Sequence, residues 1–258
     1  MPYGFYGWQQ ADIRDRNGLT PRDLYDLLKT VWCAETCAPR MRAEWTQENS
    51  TLGQCSVTAF LIQDLFGGKV FGVPLGDGNF HCYNAVDGCV FDLTSEQFGA
   101  AVLSYENNPE QFRETHFAKE EKKQRYELLR RRLLGEYAVD LKHRGHNCCQ
   151  AVLCAYASET GLASGTLQRL GAGFGGGMGC MEATCGALCG AQMALGLLRG
   201  EGASIRREAR ALYQRFTALC GAGICKELKG VGGGAPLCAC DDCVRHAAEA
   251  LEEILRGA

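Results

Sequence analysis

The sequence lacks any run of ~18 consecutive apolar residues, which is what a membrane-spanning helix needs. A leader is missing as well. MPYGFYGWQQADIRDRNG has no basic segment followed by an apolar one, so no secretory signal is expected. Excess charge is absent: 27 Lys and Arg face 30 Asp and Glu, a net of −3. A nucleic-acid binder needs a basic footprint, so no nucleic-acid partner and no membrane insertion are expected. Cys-x-x-Cys-His does not occur, which excludes c-type haem attachment. GAGFGGGMG resembles a phosphate-binding loop, but no Lys-Ser/Thr follows it and no βαβ unit surrounds it. Close helix packing explains those glycines better.

Sixteen cysteines and 33 glycines stand out among the 258 residues. In a chain without a signal the expected compartment is the reducing cytoplasm. Dense cysteine there points to metal binding or redox chemistry rather than a disulfide framework. Buried free cysteine is also a good small hydrophobe, and about half of the sixteen are expected to be core. Apolar content of 46% supports a real core, and 22% charge argues against disorder.

The two halves differ. Residues 1–104 read as α+β, with helices followed by a small antiparallel sheet. LTPRDLYDLLKTVW is a helix with Thr20 as N-cap and Pro21 at its first position. TLGQCSVTAFLIQDLFGG is a second, stopped by Gly67 and Gly68. KVFGVPL, NFHCYNAV and CVFDLT are strands, the last two joined through Asp87-Gly88. Residues 105–124 form a charged connector. Residues 125–258 read as an all-α helical bundle: NCCQAVLCAYASE, CGALCGAQMALGLLRG, SIRREARALYQRFTALCG with Ser204 as N-cap, and CDDCVRHAAEALEEILRG.

In the first half, Gly-Gln-Cys opens a helix at Cys55, where backbone N–H groups favour a thiolate. His81 and Asp92 lie on the strands of the hairpin. Together they can form nucleophile, base and orienting carboxylate, with Gln54 as an oxyanion donor. By spacing alone, a core cysteine and a hydrogen-bonded hairpin histidine would leave the same trace. The run WCAETCAPRMRAEWTQENSTLGQCSVTAFLIQDLFGGKV, then HCYNAVDGCVFDLTSEQF, resembles the YunG-like family over residues 19–104. The resemblance brings no established activity. It implies an element order similar to papain-like and transglutaminase-like thiol enzymes, with Tyr83 as the aromatic near the histidine strand.

In the second half, GHNCCQAVL, FGGGMGCMEATCGALCGAQMALG, FTALCGAGICKELKG and CDDCVRHAAEAL resemble the C_GCAxxG_C_C family of redox-active proteins over residues 125–256. The resemblance implies four hallmark cysteines at Cys148, Cys185, Cys225 and Cys243, with Cys240 competing for the last place. It implies electron or thiol chemistry, and an electron or thiol donor protein as partner. The residues themselves put Cys148 and Cys185 near helix starts, where a thiolate is stabilised. Cys185 and Cys189 are spaced i,i+4, and Cys240 and Cys243 i,i+3. Cys148, Cys185, Cys189, Cys225, Cys240 and Cys243 are thus candidate ligands for an Fe–S cluster or zinc, and His146 and His246 are further ones.

Overall fold

The computed structural model describes residues 3–76, 78–202 and 204–257. The chain divides into two compact units, residues 1–130 and 131–258. The division falls inside one long helix.

The first unit begins with α1 (Pro21–Val31). Thr20 and Asp23 form a reciprocal capping box, and Pro21 occupies the first turn. Its buried face carries Leu24, Tyr25 and Leu28. Next comes α2 (Cys55–Phe66), almost wholly buried. Strands β1 (Lys69–Pro74), β2 (Phe80–Val86) and β3 (Cys89–Phe91) follow in antiparallel order β1-β2-β3. Asp87 and Gly88 both take positive φ, the conformation a tight two-residue hairpin needs. Asn84 on β2 donates to the Ala59 carbonyl of α2, and Trp32 donates to Thr58. These bonds lock the helix onto the sheet and fix where its first turn points.

Residues 105–124 are packed on this unit. Gln111 donates its backbone N–H to Val70, and Arg113 in α3 (Arg113–Phe117) binds the Phe60 carbonyl and Asp64. Then comes α4 (Glu120–His143).

The second unit is helical: α5 (Cys148–Ala155), α6 (Ala157–Thr160), α7 (Ser164–Gly171), the single turn α8 (Gly175–Met178), α9 (Gly186–Arg199), α10 (Arg206–Cys220), α11 (Cys225–Lys229) and α12 (Cys240–Arg256). Asn147 caps α5 in a capping box with Gln150. Leu153, Leu188, Leu195, Leu212 and Leu251 fill the core. Ser204 does not cap α10. Ile205 holds that position with no side-chain bond, so the helix starts one turn position later than the Ser-based reading places it. Among the described residues, no helix is long and apolar enough to cross a membrane.

Candidate functional site

Cys55 is the first residue of α2, and His81 stands on β2 opposite Val73. Asp92 lies one residue past β3, held by a bridge to Tyr6. His81 Nε2 and Asp92 Oδ2 are 2.5 Å apart, and both side chains are 1% exposed. Asp92 is fully anchored. The Thr94 backbone N–H and hydroxyl both reach Oδ1 at 3.0 Å, and the Tyr105 hydroxyl donates to Oδ2 at 2.9 Å.

Electrostatics separates the two partners. Burial alone would push the Cys55 thiol up. The hydrogen bond and charge of His81 outweigh it, with help from the Cys82 backbone N–H, and the thiol ends below its ordinary value. Burial alone would lower His81. The Asp92 carboxylate reverses this and raises it to about 10, aided by Cys55. Both shifts favour a thiolate beside an imidazolium, with the imidazolium held by a buried carboxylate. The pair opens on a cavity of about 500 Å3, a size that suits a small ligand. Gln54 does not line it. Its amide nitrogen donates to the Cys33 carbonyl at 3.0 Å, so the expected oxyanion donor is used structurally.

The second unit has a cavity of about 310 Å3 lined by Cys148, Cys185, Cys225, Cys240 and Cys243. Most of these cysteines open helices. Cys148, Cys225 and Cys240 are first residues of α5, α11 and α12, and Cys185 is the N-cap of α9. A short antiparallel bridge between Thr184 and Ile224 sets two of them side by side. Cys185 N–H donates to Gly223 at 2.8 Å, and Cys225 N–H to Ala183 at 3.0 Å. Lys229 Nζ reaches Cys240 Sγ at 2.6 Å.

These thiols are not activated as helix starts alone would predict. Cys148 and Cys225 are pushed up by burial and by neighbouring thiols. Cys185 is pushed up by its hydrogen bond with Cys243 and by burial, and Cys243 is raised as well. Backbone N–H groups do point at Cys148 and Cys185, but desolvation and thiol crowding win. Cys148, Cys185, Cys225 and Cys243 are therefore neutral thiols at pH 7.

Two further features bear on metals. Sγ atoms of Cys220, Cys238 and Cys243 lie within 4.8 Å of one another. His146 also lines the thiol cavity, with Nδ1 3.0 Å from the Leu141 carbonyl and Nε2 buried without a partner. That bond puts the proton on Nδ1 and leaves Nε2 a lone pair, the form a metal binds.

Comparison with known proteins matches each half separately. Residues 20–138 match the family model described as "YunG protein", and residues 146–254 that described as "Putative redox-active protein (C_GCAxxG_C_C)". The first half thus resembles the YunG family, and the second the C_GCAxxG_C_C family. "Uncharacterized protein YunG" of Bacillus subtilis (strain 168) is 41% identical over 83 residues, 32% of this chain and 66% of that relative. The aligned part is thus just under two thirds of the relative's length. No solved structure matches the chain.

In the YunG-like unit, Cys55, His81 and Asp92 come together as one chain of contacts. In the C_GCAxxG_C_C segment, all four hallmark positions and Cys240 face one cavity. Cys189 does not line it. Its thiol points back to the Thr184 carbonyl at 3.9 Å. His246 pairs with Glu249 at 3.2 Å and is also off the cavity. Cys220 and Cys238, which are not among the candidate ligands the sequence offers, join Cys243. No motif spacing signals this grouping, because the end of α10 meets the start of α12 only in the folded bundle.

The small residues of GCMEATCGALCGAQMALG now have a reason. A Cβ at Gly186 would lie 2.6 Å from Cys148 Sγ and 2.5 Å from the Phe174 carbonyl. Gly186→Ala is expected to cost about 1–3 kcal/mol by overpacking. It should also move Cys148 relative to Cys185. Urea unfolding together with the rate of thiol loss on mild oxidation would measure both effects.

Proposed function

We propose that the C_GCAxxG_C_C segment is a thiol redox centre built on Cys148, Cys185, Cys225 and Cys243. The observation that carries this is the convergence of these cysteines, with Cys240, on one cavity. Cys185 and Cys243 are hydrogen bonded thiol to thiol and form the natural couple. Oxidation would turn the two thiols into one disulfide, releasing two protons and two electrons to an acceptor protein. All sixteen cysteines are free, which suits a reducing compartment such as the cytoplasm. The crowding of neutral thiols also favours a thiophilic cation, which removes the repulsion that keeps them protonated. The trio Cys220, Cys238 and Cys243 are the donors for it. The test is metal analysis, a visible spectrum and thiol counting on anaerobically purified protein. The expected result is reversible loss of two thiols that maps to Cys185 and Cys243. Loss mapping to other cysteines would contradict the reading. Stoichiometric iron with absorption between about 300 and 450 nm would put a cluster on these cysteines, and zinc alone would make the site structural.

A second activity is favoured for the YunG-like unit by the Cys55–His81–Asp92 chain. A thiolate paired with an imidazolium at the wall of a cavity is the apparatus of acyl transfer through a thioester. Cys55 attacks the acyl carbon, and His81 delivers its proton to the leaving group. The reading is a thiol hydrolase or acyltransferase.

A further inference from the structure

The wall around Cys55 carries an unusual charge balance. Arg40, Lys119, Lys122 and Arg125 line the cavity, against one carboxylate among the described residues, Glu121. Arg125 already binds that carboxylate at 3.1 Å and is pinned to the Thr36 and Gly53 carbonyls. The deficit of negative charge is therefore left at Lys119 and Lys122. His116 stands on the same wall. Burial, followed by the charges of Lys122, Arg125 and Lys119, lowers it to about 3, so the ring is neutral at pH 7. Lys122 Nζ lies 3.3 Å from Nδ1, and an ammonium can only donate, so the ring proton sits on Nε2. Nε2 is buried with no partner.

We propose that this wall is a carboxylate subsite: the Cys55 cavity takes an acyl compound bearing a carboxylate, held by Lys119 and Lys122, with the neutral His116 ring orienting Lys122 through Nδ1. The proposal rests on the reading of Cys55 as a nucleophile. Burial and Lys119 lower the Lys122 ammonium, which an anionic ligand would reverse. The subsite supplies binding and orientation, and the Cys55–His81 pair supplies the chemistry.

Two haloacetyl reagents of nearly equal size test it in the full-length protein. In each, Cys55 sulfur attacks the methylene carbon, an S–C bond forms, and iodide leaves with the C–I electron pair. Iodoacetate carries the carboxylate, and iodoacetamide does not. The ratio of their rates at Cys55, read by peptide mass spectrometry, is compared with that of a neutral model thiol such as N-acetylcysteinamide. The ratio cancels any change in thiolate fraction, since both reagents consume the same thiolate. Cys55 should favour iodoacetate by at least about tenfold over the model thiol, the low end of charge-focusing effects. Lys122→Gln should bring the ratio back towards the model value, and 0.5 M salt should shrink it. A ratio equal to the model thiol, or one unmoved by both Lys119→Gln and Lys122→Gln, would overturn the subsite. Failure of the nucleophile reading looks different: iodoacetamide would react with Cys55 no faster than with the model thiol. In that case Cys55→Ser protein with 15N-labelled histidine is titrated with succinate. A shift of the His116 Nδ1 signal, which Lys122 faces, supports the subsite, and no shift rejects it.

Discussion

Replacing His81 with alanine is expected to slow alkylation of Cys55 at pH 7 by about a hundredfold, the lower range of what a positioned acid–base partner contributes. The reason is a reversal of sign. In the intact unit His81 pulls the thiol below its ordinary value despite burial. Without the imidazolium, burial and the Asp92 charge remain, and both oppose ionisation. The pH profile carries the same information. In the native protein the rate falls only as pH drops through a thiol value below 9, because acid removes the thiolate. His81 stays charged until pH approaches about 10, which sets the upper limit of the ion pair. In His81→Ala the midpoint should move above 9, the ordinary thiol value. Asp92→Asn should act in the same direction more weakly, by removing the charge that keeps His81 protonated. A stopped-flow alkylation series across pH measures all three proteins. Unchanged circular dichroism shows that loss of rate is not loss of fold.

The second large effect belongs to the other unit. Cys185→Ser should abolish reversible two-electron oxidation, while Cys180→Ser, at an exposed cysteine off the cavity, should leave it intact. The couple should also be reducing. No thiolate stabilises the reduced form at neutral pH, since Cys185 and Cys243 are both raised. An oxidising couple such as that of DsbA owes its potential to a stabilised reduced form. A potential at or below about −270 mV, the range of thioredoxin, is therefore expected. Equilibration against a glutathione or dithiothreitol series, read by mass shift, gives the value. A midpoint near about −120 mV would show that a thiolate is stabilised after all.

Much of this architecture was legible in the sequence because local chemistry dictates it. Thr20, Pro21 and Asp23 announce α1, and the structure shows the capping box they form. Asp87-Gly88 announces a turn, and both residues take the positive φ it requires. Cys55, His81 and Asp92 could be named from their elements, and a helix start already favours a lowered Cys55 thiol; that His81 is the chief cause of the lowering, against burial, needed the folded unit. Tyr105 and Thr94, which anchor Asp92, had no such signal. The helix-start argument named Cys148 and Cys185 correctly as to place and wrongly as to ionisation, because it took no account of neighbouring thiols. The Thr184–Ile224 bridge and the meeting of Cys220, Cys238 and Cys243 had no periodic trace. Both join segments that are distant in the chain, and irregular glycine-rich stretches carry them.

The central claim is that Cys55 is shifted below the ordinary thiol value while Cys148, Cys185, Cys225 and Cys243 are shifted above it. Site-resolved labelling of all sixteen cysteines with a small neutral alkylating reagent, from pH 6 to pH 10, tests it in one experiment. The account predicts that Cys55 reacts with a midpoint below 9, and that Cys148, Cys185, Cys225 and Cys243 react with midpoints above it. A Cys55 midpoint at or above 9, or a low midpoint at any of the four, would contradict it.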